Sequence, residues 1–268
     1  MTVEIEIVPP TEAEINAGIE RSLVFEDRNC LSWWFPKLLE AGLPVPKTRI
    51  VRIPTVSVYQ DLCRPLDGKD FEGPALRWLA VLQLAAEEIG YPCFLRTGLT
   101  SAKHEWRDTC HLPNAESLAK HVLTLIEYSE CASLFGLDWN VWAVRELLPT
   151  RPVATVYQGM PLCREFRCFV DGDELLCRHS YWPQDVIAAG MEGADPDDFV
   201  ELINSLDETT SRERAEIENL ARAAGKACGG RWSVDILDTA RGWYVTDMAE
   251  MDRSWHWPGC KNAPKNSA

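Results

Sequence analysis

None of the ten cysteines stands two residues from another, so the close pairing of a zinc ribbon or a redox dithiol is missing. The cysteines are spread singly from Cys30 to Cys260, and Cys93, Cys168 and Cys177 fall in apolar strand-like runs where a free thiol packs as a small core residue. The five histidines (His104, His111, His121, His179 and His256) show no metal-like clustering, and both His-Glu-x-x-His and the Gly-x-Ser-x-Gly elbow are absent. No apolar run approaches the roughly 20 residues of a membrane span. The opening Met-Thr-Val-Glu-Ile-Glu-Ile has neither the basic start nor the apolar core of a secretion signal. These absences give the expectation of a cytoplasmic protein without structural disulfides or a membrane partner. Basic charge is also scarce. Lys plus Arg number 27 against 41 for Asp plus Glu, a net charge of −14, which excludes bulk attraction to nucleic acid and leaves room only for a local basic cleft.

What is present suffices for a globular enzyme or binding protein. The 268 residues allow one large domain or two modest ones, and a hydrophobic fraction of 46% with 25% charged residues supplies an ordinary core. Glu4 to Val8 reads as a short strand, and Thr11-x-x-Glu14 has the form of a capping box opening a helix. Helical spacing predicts Leu31 to Ala41, Pro74 to Ile89 (with Leu76, Leu79, Leu82 and Ala86 inward), Glu116 to Ser129, Asp197 to Ser205, and Ser211 to Ala224 ending at Gly225. Strands are expected at Arg49 to Ile53, Cys93 to Arg96 and Val141 to Leu148. Hairpins are expected over Arg164 to Tyr181 and Trp232 to Glu250. Helices and strands mix without strict alternation, which argues for an α+β fold.

Several stretches hold chemistry. Asp235 interrupts the first strand of the last hairpin, and Asp247 and Glu250 end the second. Such carboxylates need a cation or a donor if buried, or else face water at the sheet edge. Arg96 runs into Thr97-Gly-Leu-Thr-Ser-Ala-Lys103, a loop whose backbone N–H groups and lysine suit a phosphate or form a plain surface loop. It matches neither the Gly-x-x-x-x-Gly-Lys-Thr loop nor a dinucleotide fingerprint. In Arg164-Glu-Phe-Arg167, Arg164 shares a face with Phe166 and Cys168, while Glu165 and Arg167 share the other. An arginine among such neighbours needs an anion, either a ligand phosphate or a partner such as Glu165. Glu146-Leu147-Leu148 ends a strand at Pro149, where an acid and free backbone groups could read an adenine edge between apolar walls.

The order of these pieces resembles the ATP-grasp superfamily. The matching stretches are Ala41-Gly-Leu-Pro-Val-Pro-Lys-Thr48, Phe94-Leu-Arg96 with Lys103, Arg145-Glu146-Leu147, Glu165-Phe166-Arg167, Asp235 and Asp247, together covering Gly42 to Glu250. The Phe94-to-Lys103 segment, Glu165-Phe-Arg and the final Asp are most similar to the branch typified by the eukaryotic cell-division-cycle 123 proteins and their phage and bacterial relatives.

The resemblance implies ATP held in a cleft between two α+β subdomains. Residues 1–90 would form a small substrate-side α/β domain, 91–260 the nucleotide-binding region and 261–268 a polar tail. Arg96, Lys103 and Arg164 would meet phosphates, Glu146 with Leu147 and Leu148 would hold adenine and ribose, and Arg167 with Lys103 would face the transferred phosphoryl group. Asp235, Asp247 and Glu250 would bind Mg²⁺, whose hard character suits carboxylate oxygens. The implied activity is an ATP-dependent ligase joining a carboxylate, on a small molecule, peptide or protein, to an amine through an acyl phosphate. An ATP-binding assembly factor or a kinase-like phosphotransferase is the alternative. The family commonly follows the acid of the last strand with a spacer and a metal-ligating asparagine. Here Asp247-Met248 is followed by Ala249, which cannot ligate.

Overall fold

The computed structural model describes residues 11–132, 137–191 and 196–263. The strand expected at Glu4 to Val8 and the end of the polar tail lie outside them. In chain order the helices are α1 (Glu12–Val24), α2 (Leu31–Glu40), α3 (Val56–Cys63), α4 (Gly73–Ile89), α5 (Leu118–Cys131), α6 (Gln184–Gly190), α7 (Pro196–Asp207) and α8 (Ser211–Cys228). The strands are β1 (Thr48–Arg52), β2 (Cys93–Thr97), β3 (His111–Leu112), β4 (Val141–Glu146), β5 (Ala154–Val156), β6 (Met160–Leu162), β7 (Glu165–Asp171), β8 (Glu174–Ser180), β9 (Arg231–Thr239) and β10 (Gly242–Glu250).

Two four-stranded antiparallel sheets organise the described residues, in the orders β1-β4-β2-β3 and β10-β9-β7-β8, with β5 and β6 forming a separate ribbon. Alternation assigns the faces. In the first sheet Cys93, Leu95, Trp142 and Val144 point into a core closed by α3, α4 and α5, which leaves Phe94, Arg96 and Arg145 on the opposite face. In the second, Phe166, Cys168, Val170, Val234 and Ile236 pack beneath α8 and α2, so Glu165, Arg167, Asp235 and Asp247 look the other way. Helix α2 ties the halves together, because Leu31, Trp34, Phe35 and Leu38 share one core with second-sheet residues and with Ala143 of β4. A division at residue 90 therefore cuts across both layers. β1 is hydrogen-bonded to β4, pairing Thr48 with Arg145, and α2 belongs to the core of the second sheet.

Most expected elements form, and the departures have local causes. Thr11 and Glu14 make both bonds of the capping box, as do Thr210 and Glu213 at the start of α8. On α4 the buried stripe is Ala75, Trp78, Leu79, Leu82 and Ala86. Leu76 is 53% exposed, because it lies on nearly the opposite side of the helix from Trp78 and so off that stripe. Helix α8 does not stop at Gly225 but runs to Cys228. Gly225 lies instead where α8 crosses the β7–β8 turn. A Cβ there would fall on the Gly172 carbonyl oxygen and 2.6 Å from Val170 Cγ2. Alanine normally gains about 1 kcal/mol over glycine inside a helix, but overlap with backbone cannot be relieved by a rotamer change. Gly225→Ala is therefore expected to destabilise by about 1–3 kcal/mol, read as a lower urea midpoint. An unchanged or raised midpoint would show that α8 can lift away from the turn. None of the described helices is long and apolar enough to cross a membrane.

Candidate functional site

The two polar faces meet across a cleft, and pairing register decides who meets whom. Across the second sheet, His179 of β8 lies opposite Arg167 of β7, Arg167 opposite Asp235 of β9, and Asp235 opposite Asp247 of β10. Arg167 grips Asp235 with two parallel bonds, Nε to Oδ1 and Nη2 to Oδ2, both 2.8 Å. This bidentate geometry is the strong form of the pair, and it sits where Asp235 is 3% exposed. A bulge at Thr246 turns that residue's carbonyl toward the first sheet, where it accepts a 2.6 Å bond from Arg145 Nη1.

The first sheet contributes cations. Arg96 Nη1 reaches Asp247 Oδ2 at 3.0 Å, and Lys103, at the end of the Thr97–Lys103 loop, lies 3.5 Å from Glu165 Oε1. The Lys103 ammonium also stands over the rings of Tyr181 and Trp182, at 4.5 and 5.5 Å from their centroids. The titration behaviour follows from this packing. Burial alone would raise the Asp247 carboxyl, but Arg96, then Lys103 and Arg145, hold it below the usual carboxylate range. Burial opposes the Lys103 charge as well, and Glu165 foremost outweighs it, lifting the ammonium above its ordinary value. Burial pushes Glu165 up, with Lys103 opposing.

Arg145 is different. Burial and then Arg96 pull it down from its ordinary value, and its Nη2 is buried without a hydrogen-bond partner among the described residues. A guanidinium does not give up its proton, so this is a cation short of an anion. Four cations (Arg96, Lys103, Arg145 and Arg167) share the cleft with three carboxylates (Glu165, Asp235 and Asp247).

Above the charges the cleft opens into a cavity with Phe94, Leu148, Met160 and Leu237 among its walls, and Arg96, Lys103, Arg145, Glu165 and Asp247 on its polar side. Glu146 and Leu147 line it too. Glu146 is braced rather than free: its carboxylate accepts from the Lys47 N–H at 2.8 Å and from Arg241 at 2.9 Å. The Leu147 and Leu148 backbone makes no backbone hydrogen bond among the described residues, at a point where both residues line the cavity. A second hollow adjoins through Trp182 and is lined by His104, Arg167, Tyr181, Asp185 and Trp255.

Sequence expectations and structure part company at two residues. Arg164 lies on the α8 face of the second sheet, where it pairs with Asp238 at 2.6 Å and Glu213 at 2.8 Å and stacks over Trp243. Alternation had placed it with Phe166 and Cys168, so it is a structural clamp away from the cleft. Glu250 is held by Arg28 at 3.2 Å and by Asn29, whose Oδ1 accepts the Glu250 N–H, and it does not line the cavity. Arg145 is the residue that sequence reasoning left without a role, although a charge directly after the apolar run Val141 to Val144, within the same strand, marked it.

No protein-family model matches the chain, and no curated protein matches it. Among solved structures, C-terminally truncated Cdc123 from Schizosaccharomyces pombe is similar at 13% identity, over 84% of this chain and 84% of that one, with a TM-score of 0.54. Cdc123 from the same organism gives 13% identity, 84% of each chain and a TM-score of 0.52. A RimK domain ATP-grasp protein from Sphaerobacter thermophilus DSM 20745 shows 16% identity over 87% of this chain and 61% of that one, with a TM-score of 0.45. The chain thus has an α+β fold of the form seen in Cdc123.

Proposed function

We propose that the cleft binds ATP and transfers its terminal phosphoryl group to a carboxylate, which an amine then captures. The observation that carries this reading is Arg145, a buried cation whose Nη2 has no hydrogen-bond partner among the described residues and which lines a cavity whose upper walls are apolar and whose lower wall is cationic. A purine ring with a polyanionic tail fits that division. Phe94, Leu148, Met160 and Leu237 would enclose the base while the Leu147–Leu148 backbone meets its edge. Arg96 and Lys103 would take phosphate oxygens in place of the bonds they now make to Asp247 and Glu165, and Arg145 would gain the anion it lacks.

Mg²⁺ fits Asp235 and Asp247, which stand opposite each other on neighbouring strands, and would supply charge neutralisation of the phosphates. Ala249, two residues beyond Asp247 on the same strand, offers no third ligand. Arg167 borders the second hollow, so an acceptor carboxylate bound among Tyr181, Trp182 and Trp255 would lie beside it. One carboxylate oxygen would attack the terminal phosphorus as its bond to ADP breaks. The amine nitrogen would then attack the acyl carbon, expelling inorganic phosphate and forming an amide.

The Cdc123-like fold and the missing third ligand at Ala249 favour a second reading, in which ATP binding supports a protein partner without ligation. Incubation with ATP, Mg²⁺ and pools of amino acids and peptides separates the two. Acceptor-dependent ADP release with an amide product in the mass spectrum supports the ligase, binding without turnover supports the factor, and a phosphorylated acceptor would indicate a kinase. Lys103→Ala is expected to weaken ATP binding about 10- to 100-fold, the worth of a charge-assisted hydrogen bond. Because that change strands the buried Glu165, the same measurement on Lys103→Ala/Glu165→Gln isolates the lysine's own contact. Wild-type affinity in the double variant would remove the loop from the site.

A further inference from the structure

At the far edge of the second sheet, four side chains that play no part in the cleft converge. Cys177 and His179 point to the same face of β8, two residues apart, and His256 and Cys260 come from the segment that follows β10. One ligand-type atom from each lies within 4.8 Å of all the others. Cys177 Sγ is 3.3 Å from His256 Nε2. In a tetrahedral site with Zn–S near 2.3 Å and Zn–N near 2.0–2.1 Å, sulfur and nitrogen ligands stand roughly 3.5 Å apart. The Cys177–His256 edge is already at that length, and the wider edges need to close by about 1 Å.

One further observation shows a group without a partner. His179 Nε2 is buried without a hydrogen bond among the described residues, while His256, 3% exposed, turns its Nε2 to Cys177 Sγ. An orphaned imidazole nitrogen in the interior is costly and calls for an unseen partner. His256 stacks on Phe169, with ring centroids 3.9 Å apart, which fixes its plane.

We propose that Cys177, His179, His256 and Cys260 form a structural zinc site. Two thiolates and two neutral imidazoles are the S₂N₂ donor set that selects Zn²⁺, and two thiolates exactly balance its charge, so the buried site would be neutral. Binding would form two Zn–S and two Zn–N bonds and release the two thiol protons to solvent. The effect is mechanical. The metal would clip the segment 254–263 onto β8, alongside the 3.0 Å bond from Trp257 Nε1 to the Ser180 carbonyl. It would also hold the Trp255 backbone beside Arg167, whose Nη1 lies 3.5 Å from the Trp255 carbonyl.

The test is made on the full chain, purified with reductant and without chelator. Elemental analysis after gel filtration should give about one zinc per chain. Cobalt(II) exchanged into the protein should show the visible bands of a tetrahedral ion together with thiolate-to-metal charge transfer in the near ultraviolet. Cys177→Ser/Cys260→Ser should lose the charge-transfer band and nearly all of the zinc. Reduced wild-type protein that retains no zinc and takes up none when Zn²⁺ is added overturns the proposal, whatever the variants do. So does a Cys177–Cys260 disulfide that persists under reductant in the intact mass, or metal that stays bound when both cysteines are serine.

Discussion

Asp247→Asn should remove the Mg²⁺ dependence of ATP binding while leaving binding of metal-free ATP intact. Asp247 is the carboxylate on which Arg96, Lys103 and Arg145 all act, and its side chain is 31% exposed while that of Arg96 is 4% exposed. Asparagine keeps the shape but cancels the charge. The cations then have one anion fewer, which favours the ATP polyanion, whereas Mg²⁺ loses one of its two proposed carboxylates. Affinity measured with Mg²⁺ is expected to fall by about 100-fold, or roughly 2.7 kcal/mol, and affinity measured with EDTA should hold or rise. Without nucleotide the variant should lose about 1.5–3 kcal/mol of stability, the value of a charge-assisted bond to a buried arginine. Equal losses with and without metal would make Asp247 a counterion alone, and a variant that does not fold would make it a structural acid.

The opposite signs predicted for the two conditions rest on cross-strand pairing, and this marks the limit of what the sequence could reveal. Alternation in Trp232 to Glu250 gave the β9–β10 hairpin, because period two is a local property, but it could not foresee the bulge between Val245 and Asp247 that turns Asp247 away from the core face of Val245. It also separated Arg164 from Arg167. It could not give register, so the anion awaiting Arg167 was open, with Glu165 the nearest in sequence. The folded chain gives Arg167 to Asp235 and leaves Glu165 to Lys103, 62 positions away. The elements left unread were short or atypical: the strands β3, β5 and β6 of two or three residues, α3, a helix of eight residues, and α6, which opens after Pro183 without a side-chain cap. The Cys177–His179–His256–Cys260 cluster was invisible for a related reason. Its halves are 77 residues apart, and neither Cys-x-His nor His-x-x-x-Cys has the spacing of a familiar zinc motif. Its only local sign was a cysteine and a histidine on the same face of one strand.

Arg167→Ala should cost turnover far more than nucleotide affinity. The guanidinium lies between Asp235 and the second hollow, so in the proposed reaction it meets the phosphoryl group as that group leaves ADP. Loss of one such preorganised donor costs about 10²- to 10³-fold in kcat, with KM for ATP changing much less. The alanine variant has a second fault, since it abandons a carboxylate that is 3% exposed, and breaking a buried pair from one side costs about 3–5 kcal/mol. Arg167→Lys separates the two effects. Lysine restores a positive charge beside Asp235 and should recover most of the melting temperature. A single ammonium cannot hold both Asp235 oxygens and also address a phosphoryl group, so turnover should stay low. Guanidinium added to Arg167→Ala should restore part of the rate, because it returns the planar donor without the tether. Full turnover in Arg167→Lys, or no rescue by guanidinium in a folded Arg167→Ala, would reduce Arg167 to a strut for Asp235 and shift phosphoryl stabilisation to Lys103 and Arg145.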